Sequence, residues 1–271
     1  MTVLRGNLIM LTYNSYLAID ELLDLQRPRS EPEEHDELLF IIIHQTYELW
    51  FKQLRHELAF LSERLDQDDL PRAFHTLKRI LKIMKTLVSQ VDILETMTPL
   101  EFDSFRDRLE SASGFQSYQF RVIEFLLGHK RPEPLEFQPL NSLGRQLLEE
   151  AYRTPSLWRV FLGLLHRAGH TLPPDLLQQP VTEANQSSKD VQEALLQVYR
   201  QDHQLAELCE LLVDLDEGLQ EWRYRHVKMV QRTIGSKMGS GGSSGAEYLM
   251  KTLFRPVFPD LWDIRSRLEK P

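Results

Sequence analysis

Two histidines stand at positions where a helical sequence otherwise places carbon. Between residues 40 and 65, Phe40, His44, Tyr47, Phe51, Leu54, Leu58, Leu61 and Leu65 recur at alternating steps of four and three. Between 208 and 233, Leu208, Leu212, Leu215, Leu219, Trp222, His226, Met229 and Thr233 repeat that spacing. Such a period puts each set on one helix face, the face that packs against a neighbour. His44 and His226 therefore point inward. A buried imidazole must either hydrogen-bond through its ring nitrogens or coordinate something. For each histidine taken alone, a hydrogen-bonded core residue is the simpler reading. Two such seams in one chain favour a shared site between facing helices.

The other chemistry-bearing residues are read against that pair. A single inward histidine suits haem, whose porphyrin brings four ligands of its own. A zinc site wants three or four protein ligands, and none stands at close spacing to His226. His166 and His170 are four apart, but Gly169 ends their helix, which leaves them as surface or capping residues. Arg106 shares an apolar face with Phe102 and Leu109. It either snorkels outward beside Asp103 and Asp107 or holds an anion by its planar fork, and the helix alone favours the surface. The run from Gly239 to Gly245 reads as a linker by composition, or as backbone that approaches a ligand closely just past the His226 helix. Glu33 to Glu37 is acidic at a helix start, where the dipole favours such charge. Cys209 lies in a leucine-rich pattern as a small core residue.

The elements that must position these residues are helices. Glycine is concentrated at Gly235, Gly239, Gly241, Gly242 and Gly245, five of the 12 in the chain, and no alternating strand pattern of useful length occurs. Thr98, Pro99 and Glu101 form a capping box with proline at the first helical position. Thr154-Pro155 repeats the device, Ser187 with Asp190 resembles another start, and Gly128 and Gly169 read as stops. The expected fold class is all-α, a helical bundle in one domain over 1–271. Its helices are expected near 36–66, 69–95, 99–109, 115–128, 142–152, 155–168 and 188–234, with two shorter ones after 245.

Bulk properties exclude several classes of function. The 271 residues carry a net charge of -8, which opposes a nucleic-acid partner because phosphate binding needs a concentrated basic face. The longest apolar run, Leu38 to Ile43, falls far short of the ~20 residues that span a bilayer. A single cysteine rules out an internal disulfide and fits a reducing, cytoplasmic setting.

Three stretches then resemble one family. His35-Asp36-Glu37-Leu38-Leu39-Phe40-Ile41-Ile42-Ile43-His44-Gln45-Thr46-Tyr47-Glu48-Leu49-Trp50 is similar to the distal-side signature of the tryptophan 2,3-dioxygenases. Phe105-Arg106 with Ser111-Ala112-Ser113-Gly114-Phe115-Gln116-Ser117 resembles the substrate-binding segment. Trp222-Arg223-Tyr224-Arg225-His226 and Gly239-Ser240-Gly241-Gly242 resemble the proximal helix and the loop that closes over substrate. The likeness runs from about Leu11 to Leu268 in order and spacing.

That resemblance implies a haem b enzyme that uses dioxygen to cleave the indole C2–C3 bond of L-tryptophan, giving N-formylkynurenine. His226 would be the iron ligand, with Trp222, Ser113 and Gly114 in the cofactor pocket. His44 would be the catalytic residue opposite, accepting the indole N–H and orienting the ring. Phe40 and Phe102 would pack on the indole, and Arg106 would pair with the substrate carboxylate. Tyr13 and Tyr16 would complete the pocket of a neighbouring subunit in a homotetramer. The family usually has threonine where this chain has Ser240, a contact of the substrate's ammonium and carboxylate. Serine keeps the hydroxyl and loses the methyl that restricts its rotamer. The alternatives are single-oxygen insertion into tryptophan or a substituted analogue, giving an oxindole, and a non-catalytic haem sensor or carrier.

Overall fold

The computed structural model describes residues 10–237, 249–250 and 253–269, and among them every regular element is helical. Two short helices, α1 (Tyr13–Leu17) and α2 (Ile19–Leu23), precede the long α3 (His35–Asp66) and α4 (Leu70–Leu94). Next come α5 (Pro99–Arg106), α6 (Tyr118–Leu127), α7 (Glu133–Glu136), α8 (Leu143–Arg153), α9 (Leu157–Arg167) and α10 (Pro174–Gln178). The order closes with α11 (Lys189–Gln201), α12 (His203–Ile234) and α13 (Pro259–Asp263). No helix among the described residues is long and apolar enough to cross a membrane.

The two seams read from the sequence form the centre of the core. Leu54, Leu58, Leu61 and Leu65 of α3 are buried, as are Leu208, Leu212, Leu215 and Leu219 of α12. α4 packs against both helices, presenting Leu77, Ile80 and Leu87. α3 and α4 can be neighbours because only residues 67–69 join them, and Asp69 caps the second by accepting from Arg72 N at 3.3 Å. A smaller cluster of Val122, Phe125, Leu148 and Ala151 joins α6 to α8. The C-terminal segment is tied down by one buried carboxylate. Asp216 Oδ2 accepts from Val257 N, Phe258 N and Trp262 Nε1 at 2.9, 2.9 and 3.1 Å.

Several expected boundaries hold, and others move for identifiable reasons. The Thr98 capping box is formed, with Thr98 N donating to Glu101 Oε2 at 2.7 Å. Gly128 ends α6 at φ 106°, and the Asn185 side chain fills the space a Cβ would need. The expected helix over 188–234 is two helices. Asp202 takes an extended conformation, and its carboxylate accepts from Gln204 N and Leu205 N, so the chain restarts there. Thr154 closes α8, and Ser156 rather than the Thr154-Pro155 pair caps α9. Ser187 caps nothing, because its hydroxyl is drawn to Asp260 and Asp263 at 3.1 and 2.6 Å. The helix expected from 115 starts at Tyr118, after a 3-10 turn over Gly114–Gln116, and that expected to 109 becomes 3-10 after Arg106. α1 and α2, five residues each, carried no periodic signal. Of the two helices expected after 245, one is α13, followed by a 3-10 turn over Arg265–Arg267; residues 245–248 and 251–252, where the other would fall, lie outside the described residues.

One turn is strained. Ala112 N bonds to Leu109 O at 2.8 Å, and Glu110 between them sits at φ 49° and ψ -118°, the first central position of a type II′ turn that favours glycine. Strain there is worth ~1–2 kcal/mol, against ~0.5–1 kcal/mol of chain entropy that glycine adds to the unfolded state. Glu110→Gly is expected to raise the thermal midpoint by about 2 °C in calorimetry. A lower midpoint would show that the turn holds no strain.

Candidate active site

α3, α4, α5, α6 and α12 enclose a cavity of about 250 Å³, and its walls contain both inward histidines. On one side Phe40, Phe102 and Phe105 form a cluster with ring centroids 5.5 to 5.7 Å apart. His44 packs on Phe40 at 4.1 Å. Its Nδ1 lies 2.7 Å from Phe40 O one turn earlier on α3. A carbonyl only accepts, so Nδ1 carries the proton, and in the neutral ring Nε2 is left as an acceptor. Burial lowers the His44 pKa, outweighing the Phe40 carbonyl and the Glu48 charge, which act to raise it. The neutral form is therefore favoured.

His226 forms another wall from α12. Its ring stacks on Trp222 at 5.2 Å with planes 4° apart, and Trp222 is boxed in by Phe120 at 4.7 Å and Phe51 at 6.0 Å. Among the described residues the His226 imidazole has no hydrogen bond. Burial first, then the charges of His44 and Arg121, push its pKa down to about 4. A neutral imidazole with an uncommitted lone pair is ready to ligate. Among the described residues Trp222 Nε1 is buried without a hydrogen-bond partner.

α5 and the turn after it supply Arg106, Ser113 and Gly114 to the same cavity. Arg106 is half-buried on the inward face of its helix, so the surface placement that the helix alone suggested is not what forms. Asp103, one of the partners considered for it, pairs with Lys237 at 3.2 Å. A Cβ built on Gly114 meets nothing within 4 Å, so the backbone there has open space before it. Tyr13 and Tyr16 are not at this cavity; they are 74% and 72% exposed on α1. Ser240 and the Gly239–Gly245 run lie outside the described residues.

Residue spacing alone missed a buried charge cluster in the cavity wall. Glu124 takes Arg121 and Arg131 at 2.7 Å and Arg223 at 3.0 Å. Arg223 also reaches His129 Nδ1 at 3.2 Å and Arg255 O at 3.3 Å. Burial opposes ionisation of Glu124, but the three guanidiniums outweigh it and hold its carboxyl well below the usual range. Arg121 and Glu124 are visible in sequence as an i, i+3 pair; their convergence with Arg131 and Arg223 is not. Glu48 also lines the cavity, accepting from Gln119 Nε2 at 3.1 Å.

The profile described as Tryptophan 2,3-dioxygenase matches residues 3–153 and 177–268. The chain belongs to the tryptophan 2,3-dioxygenase family. It is 58% identical over 259 residues to a curated tryptophan 2,3-dioxygenase of Herpetosiphon aurantiacus, covering 95% of this chain and 98% of that one. It is 57% identical over 258 residues to one of Anaeromyxobacter sp. (strain K), covering 95% and 96%. The Bacillus anthracis enzyme of the same name is 42% identical over 261 residues, covering 95% and 93%. Membership of the tryptophan 2,3-dioxygenase family accords with the all-α architecture.

The ion cluster carries a pH signature. Because the folded pKa of Glu124 is depressed, its stabilisation is complete above its ordinary value of 4.5 and is lost as pH falls below it. Glu124→Gln leaves the buried Arg223 and the partly buried Arg121 and Arg131 without their anion, at a cost of ~3–5 kcal/mol at pH 7. Its unfolding free energy is expected to vary less than that of the parent chain between about pH 4.5 and 2.5 in denaturant titrations. Parallel profiles would remove Glu124 from the role.

Proposed function

We propose that this chain performs the haem-dependent oxidative cleavage of the indole C2–C3 bond of L-tryptophan by dioxygen, giving N-formyl-L-kynurenine. One observation carries the reading. A neutral imidazole without a hydrogen bond among the described residues and a second imidazole whose acceptor nitrogen is free among them share one largely apolar cavity with a guanidinium. Among the described residues no group of three or more His, Cys, Asp or Glu could hold a metal ion. That donor set fits a cofactor bringing most of the iron's ligands, with His226 as the protein's own. Trp222, Ser113 and Gly114 would flank haem b, one per subunit, and the open face of Gly114 leaves room for a flat ring. When bound, the haem supplies the iron at which dioxygen is activated.

The chain's residues do the rest by binding and orientation. His44 Nε2 accepts the indole N–H, a role available only while the ring is neutral and Nδ1–H is committed to Phe40 O. Phe40 and Phe102 pack on the indole and keep water away. Arg106 holds the carboxylate in a charge-assisted, two-pronged contact. Ser240 meets the ammonium and carboxylate with a hydroxyl freer to rotate than threonine's. Holding a reactant in register in this way lowers the barrier without any proton transfer by His44. Tyr13 and Tyr16, exposed in their own subunit, complete the cavity of a neighbour in a homotetramer. Residues 1–271 act as one catalytic domain in the cytoplasm.

The product made by reduced, haem-loaded protein from L-tryptophan under labelled dioxygen tests this directly. Two labelled atoms in a ring-opened product are expected. One labelled atom would indicate an oxindole, no turnover a haem sensor or carrier, and colourless protein would end the haem reading. Two variants separate the roles within the site. His226→Ala is expected to lose stable haem incorporation, read from the Soret band. Arg106→Ala is expected to keep haem and raise KM for tryptophan ~10- to 100-fold, the loss of one charge-assisted contact. Full haem in the first, or an unchanged KM in the second, would contradict the assignment.

A further inference from the structure

Residues 10–25 stand apart from the core. Helices α1 and α2 bury no side chain, and Met10, Leu11, Tyr13, Tyr16 and Leu23 are between 68% and 82% exposed. So much exposed apolar surface on one short arm marks a surface for contact with another molecule. The root of the arm is built quite differently. Glu37, in the first turn of α3, is 2% exposed. Its Oε1 accepts from Arg29 N at 2.7 Å, and its Oε2 accepts from Ser30 N at 2.9 Å and from the Ser30 hydroxyl. Ser30 Oγ in turn accepts from Glu34 N at 2.9 Å, closing the segment before the helix. Eight residues further along α3, Gln45 makes a second attachment. Its Nε2 donates to Leu25 O at 3.0 Å, and its Oε1 accepts from Gln26 Nε2 at 2.5 Å.

A carboxylate that takes two consecutive backbone N–H groups fixes two peptide planes at once, through charge-assisted bonds. The acidic run at the start of α3 is therefore more than a dipole partner, since Glu37 is turned inward onto the incoming chain. Both attachments fall on the helix that carries Phe40 and His44. They set the arm's direction relative to the subunit's own cavity. In a symmetric assembly the same geometry places each arm relative to the partner's cavity.

We propose that Glu37, with Ser30, is a positioning residue that sets the trajectory of the N-terminal arm and so delivers Tyr13 and Tyr16 to the active site of a second copy of this chain. This rests on the reading that the arm completes a neighbouring cavity. Glu37 touches neither the proposed cofactor nor the substrate. Its influence is on substrate affinity through the arm.

The test uses the haem-loaded assembly and Glu37→Gln, which keeps the shape but turns one acceptor into a donor facing a backbone N–H group. The variant is expected to keep its haem content, Soret spectrum and kcat, to show a KM for tryptophan about tenfold higher, and to be cleaved about tenfold faster by protease between residues 10 and 34. Should that variant fail to fold, Ser30→Ala removes the two hydroxyl bonds, to Glu37 and from Glu34 N, while leaving both backbone N–H bonds to the carboxylate, and is expected to move KM and cleavage in the same direction by a smaller factor. An unchanged KM with an unchanged cleavage rate would overturn the proposal while leaving the proposed function standing. So would a KM that rises only in step with haem loss. A parent chain that is monomeric in solution would overturn both the exchanged arm and the role of Glu37 in it.

Discussion

Two imidazoles face one largely apolar cavity, and desolvation there disfavours the charged form of each. Burial depresses both His44 and His226, and each is made less willing to protonate by its surroundings: His226 by the opposing histidine and Arg121, His44 by the apolar wall that encloses it. The consequence is chemical. A protonated imidazole offers only donors, whereas a neutral one keeps a lone pair. For His44 the backbone decides which nitrogen holds that lone pair, because the Phe40 carbonyl takes the Nδ1 proton one helical turn away. For His226, stacked flat on Trp222, the ring orientation is set by aromatic packing instead.

Placing charged groups in the wall of such a cavity creates an electrostatic problem that the wall solves collectively. One buried and two partly buried guanidiniums meet there, and Glu124 binds all three. The cluster also fastens separate parts of the chain. Arg121 and Glu124 belong to α6, Arg223 to α12, and Arg223 reaches the carbonyl of Arg255 in the C-terminal segment. Asp216 does the same one helical stretch earlier by gripping residues 257, 258 and 262. Glu124 and Asp216 thus act as buried fasteners between elements distant in sequence, and Glu37 plays a local version of that part, tying α3 to the segment just before it.

Much of this was legible beforehand, and the reasons are local. The periodicity of α3 and α12 placed His44 and His226 on core faces because helix geometry follows from side-chain spacing over a few turns. The Thr98 capping box and the Gly128 stop were readable because caps involve residues within three or four positions of each other. Boundaries failed where a non-local partner intervened or where two caps competed nearby. Ser187 gave up its capping role to Asp260 and Asp263, seventy-odd residues away. Asp202 broke an apparently continuous pattern because its carboxylate reaches the following amides, and the apolar stripe gave no sign of the interruption.

By itself, then, the amino-acid order determined the helical class, the inward histidines and, through three long motifs, the family. What tertiary structure decided was association. It chose the side of α5 that Arg106 occupies and joined Glu124 to arginines from three segments. It also left Tyr13 and Tyr16 exposed on α1, away from the cavity. The physical reason is range: a helix's face is set by neighbours within one or two turns. Which group meets a charge, a lone pair or an exposed ring depends on how whole helices pack, and no short stretch of sequence contains that information.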